Sequence, residues 1–211
     1  DVRAVVRSPE KLPPSLTQDP GLTVIQAGIL DLTDAEMAQH VAGCRAVASC
    51  LGHNLTLKGL FGPPRRLVTD ATRRLCQAVK ANTPETPVKF VLMSTVANRN
   101  RDLDEPQTWV ERLAIGLLRR ILPPQADNEQ AADYLRTQIG SDDGTLAWAA
   151  VRPDTLIDRD EVTAYEIFPS PTSSWQERTG SRRPDNRPGG LRGLRRPRPP
   201  ANLSCSERRP P

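Results

Sequence analysis

Five places along this chain set chemically competent residues directly after a short apolar run: Arg7-Ser8, Asp31-Leu32, Leu51-Gly52-His53, Ser94-Thr95 and Arg152-Pro153. Arg7 offers a planar fork of N–H donors that suits phosphate oxygens, and Ser8 adds a hydroxyl beside it; the plainer reading is a solvated arginine in a turn. Asp31 can accept from an amino group while Leu32 donates through its backbone N–H, or Asp31 can simply turn the chain into the next helix. Gly52 allows a ligand close to the backbone. His53 can exchange a proton near neutral pH, or it is an exposed loop histidine; the other histidine, His40, reads as surface. Ser94 and Thr95 bring two hydroxyls to the end of the most apolar run, where Ser94 can donate to a carbonyl. Ser94 and His53 are therefore the candidate catalytic residues. Tyr134 invites comparison with a Tyr-x-x-x-Lys pair, but position 138 is Gln, so Tyr134 reads as packing.

These residues need a frame that gathers strand ends. The pattern predicts strands at 2–6, 22–30, 45–51, 88–93 and 146–151, and a short extra one at 162–168. Helices are predicted at 34–41, 64–81, 109–122 and 127–139. Thr33 or Asp34 can cap the first of them, and Asp127 or Asn128 the last, which Gly140 ends. Pro123-Pro124 reads as a stop. Strands alternating with helices predict a parallel sheet wound on both sides, with ligands held outside the carboxyl ends of the strands. The nearly continuous apolar run Val88–Met93 fits a strand covered on both faces. At that site Arg7 is placed to meet a ribose 2′-phosphate, where a carboxylate would instead hold the free diol.

Bulk properties point the same way. The chain has 211 residues, 37% of them apolar, with 21 prolines and a net charge of +4. Residues 178–211 hold ten Arg against Asp185 and Glu207, a net of +8, which leaves +4 − 8 = −4 for residues 1–177. The first 177 residues thus carry no electrostatic footprint for nucleic acid. Cys44, Cys50, Cys76 and Cys205 show no metal-binding spacing and read as free thiols of a cytoplasmic protein. No run is long and apolar enough for a membrane span.

In order and spacing, the series VRAVVRSPEKL, VIQAGILDLTD, VASCLGH, VKFVLMSTVAN, ADNEQAADYLR and LAWAAVRPDTLID resembles the atypical short-chain dehydrogenase/reductases with NAD(P)H-binding, NmrA-like domains. The resemblance covers about residues 1–172. It implies a Rossmann-like doubly wound parallel α/β sheet that binds NADP, with NAD possible, and acts on a small-molecule substrate. It implies Arg7 and Ser8 at the 2′-phosphate, Asp31 and Leu32 at adenine, and Leu51 and Gly52 along the cofactor backbone. Ser94 and Thr95 would lie near the nicotinamide, where Arg152-Pro153 also passes. Family members often lack the Tyr/Lys pair, and some bind NADP to regulate. Against the family pattern, the first strand and its glycine-rich turn would have to precede Val2, so a gap is expected between the strands at 2–6 and 45–51. Residues 173–211 are expected to form a disordered basic tail, read as an out-of-frame continuation; the rival reading is a tail that binds nucleic acid.

Overall fold

The computed structural model describes residues 1–54, 56–95, 98, 108–153, 165–168 and 202–207. The strands are β1 (Val2–Val6), β2 (Leu22–Gln26), β3 (Ala46–Ser49), β4 (Val88–Met93), β5 (Leu146–Pro153), β6 (Tyr165–Phe168) and β7 (Asn202–Glu207). The helices are α1 (Pro14–Thr17), α2 (Asp34–Val41), α3 (Leu57–Phe61), α4 (Leu67–Ala81), α5 (Trp109–Ile121) and α6 (Pro123–Tyr134). No helix among the described residues is long and apolar enough to cross a membrane.

The sheet is interrupted where the gap is expected. Among the described residues β1 pairs only with β2, in parallel, while β3, β4, β5 and β7 form a parallel run closed by antiparallel β6. Strand parity shows what faces the gap. Val2 N–H donates to Gly21 and Val6 C=O accepts from Ala27, so Val2, Ala4 and Val6 bond toward β2, and Arg3 and Val5 turn their peptide groups away. Arg45 C=O accepts from Lys89, so Ala46 and Ala48 of β3 likewise turn away from β4. The amides of Val5 and Ala48 are therefore expected to exchange with solvent far faster than those of Ala4 and Val47. Residue-resolved hydrogen exchange checks this, and equal protection of all four would mean the two edges are closed. The isolated pair is moored through Arg3, whose Nη1 donates to the carbonyls of His40 (2.8 Å) and Ala42 (2.9 Å) at the end of α2.

One core joins the helices to β3–β5. Val68, Leu75, Ala78 and Val79 of α4 pack with Phe90 and Leu92 of β4, Ala131 of α6, Leu135 just after it, and Met37 of α2. Leu67, the first residue of α4, is only half-buried. On β4, Val88, Phe90 and Leu92 are buried but Lys89 is exposed, so among the described residues the burial alternates.

Most elements match their sequence signals, with differences at the ends. Thr33 caps α2 as expected, in a full capping box with Glu36. β2 stops at Gln26 and not at 30, because the chain turns at once, Asp31 N–H closing on Gly28 C=O at 2.9 Å. β3 is trimmed to Ala46–Ser49, and α4 begins at Leu67, with the short α3 ahead of it. Pro123-Pro124 does not merely stop α5; the two prolines open α6, where a missing N–H costs nothing. A π-helical turn, Leu135–Ile139, follows α6 and ends at Gly140, whose φ of 72° suits glycine. β6 lies within the predicted 162–168, of which 162–164 fall outside the described residues. Residues 202–207 form β7, so the expected unstructured tail does not extend to them; the rest of that prediction, residues 173–201 and 208–211, lies outside the described residues.

The turn into β5 holds an ion pair between Lys80 Nζ and Asp143 Oδ2 at 2.5 Å. Partial burial pushes the Asp143 carboxyl up, but hydrogen bonds from Lys80 and from the hydroxyl and N–H of Thr145 outweigh it and hold the group down at about 2. A carboxylate lowered on folding stabilises the fold above its unfolded value and loses that contribution as pH falls through the folded one. Asp143→Asn is expected to lower Tm at neutral pH and to leave it unchanged near pH 2. Parallel melting curves of the two proteins from neutral pH down to pH 2 check this.

Candidate functional site

The ends of β1, β2 and β3 converge on one cleft of about 1770 Å³. Arg7, Ser8, Asp31, Leu32, Leu51 and Gly52 all line it. Six residues predicted from three separate stretches of sequence are thus brought to one surface. The volume exceeds the roughly 300–1,000 Å³ of an ordinary ligand site. The excess follows from the gap, since both free strand edges open into the same space.

Each lining group is held differently. Arg7 is exposed at the end of β1 and makes no hydrogen bond or ion pair with the described residues. Ser8 is half-buried and precedes the 3-10 turn Pro9–Lys11. Lys11, which the sequence reading did not single out, lines the same cleft and adds a second exposed cation. The signal available was its position one turn beyond Arg7-Ser8. Asp31 is exposed and folds back over Gly28, where an added Cβ would lie 2.1 Å from its Oδ2. The carbonyls of Leu30 and Leu32 accept from Arg74 of α4, which also pairs with Asp34. That brace fixes the loop and leaves the Leu32 N–H without an acceptor among the described residues. Gly52 has no atom within 4 Å of where a Cβ would stand, so the protein itself does not require glycine there.

His53 is no exposed loop histidine: 5% of its side chain is accessible. Its Nε2 lies 2.8 Å from Asp127 Oδ2. Asp127 was expected to cap its own helix, but α6 has already begun at Pro123, and the carboxylate instead caps α4 from outside. The residue before α4, Arg66, supplies no side-chain cap. Val68 N–H donates to Oδ2 at 2.8 Å and Thr69 N–H to Oδ1 at 3.0 Å, while the Thr69 hydroxyl donates to the Asp127 carbonyl at 2.9 Å. One buried carboxylate thereby ties the loop after β3 to two helices. An ionised carboxylate only accepts, so His53 donates from Nε2 and Nδ1 is the ring atom left over.

Ser94, Thr95, Arg152 and Pro153 do not line this cleft. They gather at the ends of β4 and β5. Ser94 continues the ladder, its N–H donating to Val151 at 2.8 Å. Its hydroxyl accepts from Asn98 Nδ2 at 2.5 Å. Thr95 Oγ1 is buried without a hydrogen-bond partner among the described residues. Arg152 is 2% exposed, with Nη1 donating to the Asn98 carbonyl at 2.7 Å. Pro153 ends β5 beside Cys205 of β7. β3 ends at Ser49, which pairs with Leu92 two residues before Ser94, so the two groups of residues lie at neighbouring strand ends. The sequence reading missed Asn98 and Gln125, whose only signal was polarity beside Ser94-Thr95 and at a helix start. Tyr134 is packing, as expected: its ring lies 5.6 Å from the Arg73 guanidinium, and burial pushes its hydroxyl up.

These features fit a dinucleotide. Among the described residues, two unpaired cations suit phosphate, an exposed carboxylate and a free N–H suit a base edge, the space at Gly52 admits a ligand, and Thr95 Oγ1 lacks a partner. The pattern of the NAD(P)H-binding family matches residues 1–183. The chain belongs to that NAD(P)H-binding family. Its fold is shared by an oxidoreductase from Lactococcus lactis, with TM-score 0.55 and 16% identity over 97% of this chain and 78% of that one. A candidate NADH-flavin reductase from Streptococcus pneumoniae gives 0.54 and 17% over 98% and 87%. A candidate NAD-dependent epimerase/dehydratase from Bacillus halodurans gives 0.57 and 13% over 97% and 81%. Among curated proteins none matches the chain.

Proposed function

We propose that this NAD(P)H-binding chain is an NADP(H)-preferring oxidoreductase of the atypical short-chain type, acting in the cytoplasm on a small carbonyl or quinone-like molecule. The observation that carries the reading is the unpaired Arg7 guanidinium at the end of β1, in the same cleft as Asp31, Leu32 and Gly52. A cation there, joined by Ser8 and Lys11, favours the 2′-phosphate over a free ribose diol. Asp31 and the Leu32 N–H take the adenine edge, and the Leu51–Gly52 backbone runs beside the cofactor. Arg152 and Pro153 stand with Ser94 and Thr95 at the nicotinamide end. A bound reduced nicotinamide supplies a hydride. The protein's part is then to hold the accepting oxygen and to exclude alternatives, with Ser94 as the hydroxyl donor. His53 is the second candidate, and only its Nδ1 could exchange a proton, because Nε2 is committed to Asp127.

A second reading, an NmrA-like NADP sensor without turnover, is favoured by one observation. Gln138, exposed on the π-helical turn, stands where the lysine of a Tyr-x-x-x-Lys pair would be, and Tyr134 is packed beneath Arg73. Titration with NADPH and NADH, followed by oxidation of bound NADPH with a panel of quinones and aldehydes, separates the two. Preferential NADPH binding with oxidation supports the enzyme, and binding without oxidation supports the sensor. Failure to bind either nucleotide would overturn both.

A further inference from the structure

The polar groups behind Ser94 are ordered in one direction. Ser94, Asn98 and Gln125 are 6%, 4% and 7% exposed. Asn98 Nδ2 donates to Ser94 Oγ at 2.5 Å, and Gln125 Nε2 donates to Asn98 Oδ1 at 3.0 Å. Gln125 Nε2 also donates to Glu129 Oε1 at 3.1 Å. An ionised carboxylate accepts and cannot donate, so Glu129 obliges Gln125 to present its nitrogen. That nitrogen obliges Asn98 to present its oxygen, which leaves the Asn98 NH₂ facing Ser94. Asn98 is also anchored by its backbone. Its N–H donates to Thr95 C=O at 3.0 Å, and its C=O accepts from Arg152 Nη1 at 2.7 Å. Ser94 Oγ must then accept from Asn98, and a serine hydroxyl that accepts on one side keeps one proton to donate on another. Among the described residues no acceptor takes that proton.

We infer that Glu129, Gln125 and Asn98 are positioning residues that commit Ser94 to donating, so that the atom it meets is an acceptor oxygen, the carbonyl of an aldehyde or ketone undergoing reduction. The inference rests on the oxidoreductase reading above. In the step, the carbonyl carbon gains a C–H bond from the hydride of the reduced nicotinamide, and the C=O π pair moves onto oxygen. That oxygen takes its proton from water. Ser94 retains its own proton and holds the oxygen as charge grows there, which is where a fixed donor helps most.

Asn98→Asp tests this, because it keeps the shape and replaces the donor facing Ser94 with an acceptor that captures the serine proton. NADPH oxidation with 4-nitrobenzaldehyde as the carbonyl probe, NADPH affinity and thermal melting are measured for the wild-type chain, Asn98→Asp, Ser94→Ala and the double variant. Each single change is expected to lower kcat about 100- to 1,000-fold, as loss of a transition-state donor does. NADPH affinity should stay within about two-fold, and the double variant should lose no more than Ser94→Ala alone. A wild-type kcat in Asn98→Asp, or losses that multiply in the double variant, would overturn the positioning role while leaving the oxidoreductase reading intact. A wild-type chain that binds NADPH but reduces no carbonyl probe overturns that reading and this inference with it. If Asn98→Asp fails to fold, Gln125→Met keeps the volume and frees the Asn98 amide. It should then lose about 3- to 10-fold in kcat only while Ser94 is present; the same loss without Ser94 overturns the role.

Discussion

Asp127→Ala is expected to lower the unfolding free energy by roughly 3–5 kcal/mol, the cost of removing one partner from a buried charged network. Asp127 is 1% exposed and accepts from Val68 N–H, Thr69 N–H and His53 Nε2. Its loss strands two N–H groups at a helix start that has no side-chain cap of its own, together with a histidine side chain 5% accessible. Each buried group left without a partner costs about 1–3 kcal/mol. Against the 5–15 kcal/mol typical of a domain, the loss is large. Asp127→Asn keeps one acceptor oxygen and is expected to cost less than half as much. Urea unfolding of the three proteins is the measurement; a change below about 1 kcal/mol for Asp127→Ala would show that water replaces the carboxylate freely. The same variant should weaken nucleotide binding, since His53 directly follows the Leu51–Gly52 segment that lines the cleft.

Arg7→Ala should raise the Kd for NADPH by about 10- to 100-fold and leave that for NADH within about two-fold. A charge-assisted guanidinium–phosphate contact contributes roughly 1.5–3 kcal/mol, and each 1.4 kcal/mol is tenfold in affinity. Arg7 has no partner among the described residues, so its removal costs none of their contacts and the protein should melt unchanged. Lys11 in the same cleft retains part of the attraction, so Lys11→Ala alone should have a smaller effect and the pair together a larger one. The discrimination should narrow as salt is raised, because both cations are exposed and screened. Equal loss of NADH and NADPH on Arg7→Ala, or no loss of either, would remove Arg7 from the 2′-phosphate.

Strand and helix signals are local, which is why so much of the frame could be read in advance. The β-branched run at Val2–Val6, the apolar run at Val88–Met93 and the Thr33-x-x-Glu36 box each specify their element through backbone sterics and neighbouring hydrogen bonds. Strand ends in a parallel sheet lie on one edge, so naming the residues after each strand already named Arg7, Ser8, Asp31, Leu32, Leu51 and Gly52 as neighbours. The interruption between β1 and β3 was likewise legible, because strand order follows from the succession of elements.

What the sequence could not determine were contacts between residues far apart in the chain. Asp127 looks like the cap of its own helix, and only packing brings it to the start of α4, more than fifty residues earlier, and onto His53. Arg74 looks like a surface arginine on α4, yet it takes the carbonyls of the Leu30–Leu32 loop. Asn98 and Gln125 carry no motif, and only the meeting of the β4 end with the α6 start gives their amides a direction. Local preference fixes which peptide groups are already satisfied. The buried side-chain polar groups must then find partners wherever the chain folds back, and that pairing is decided by tertiary structure alone.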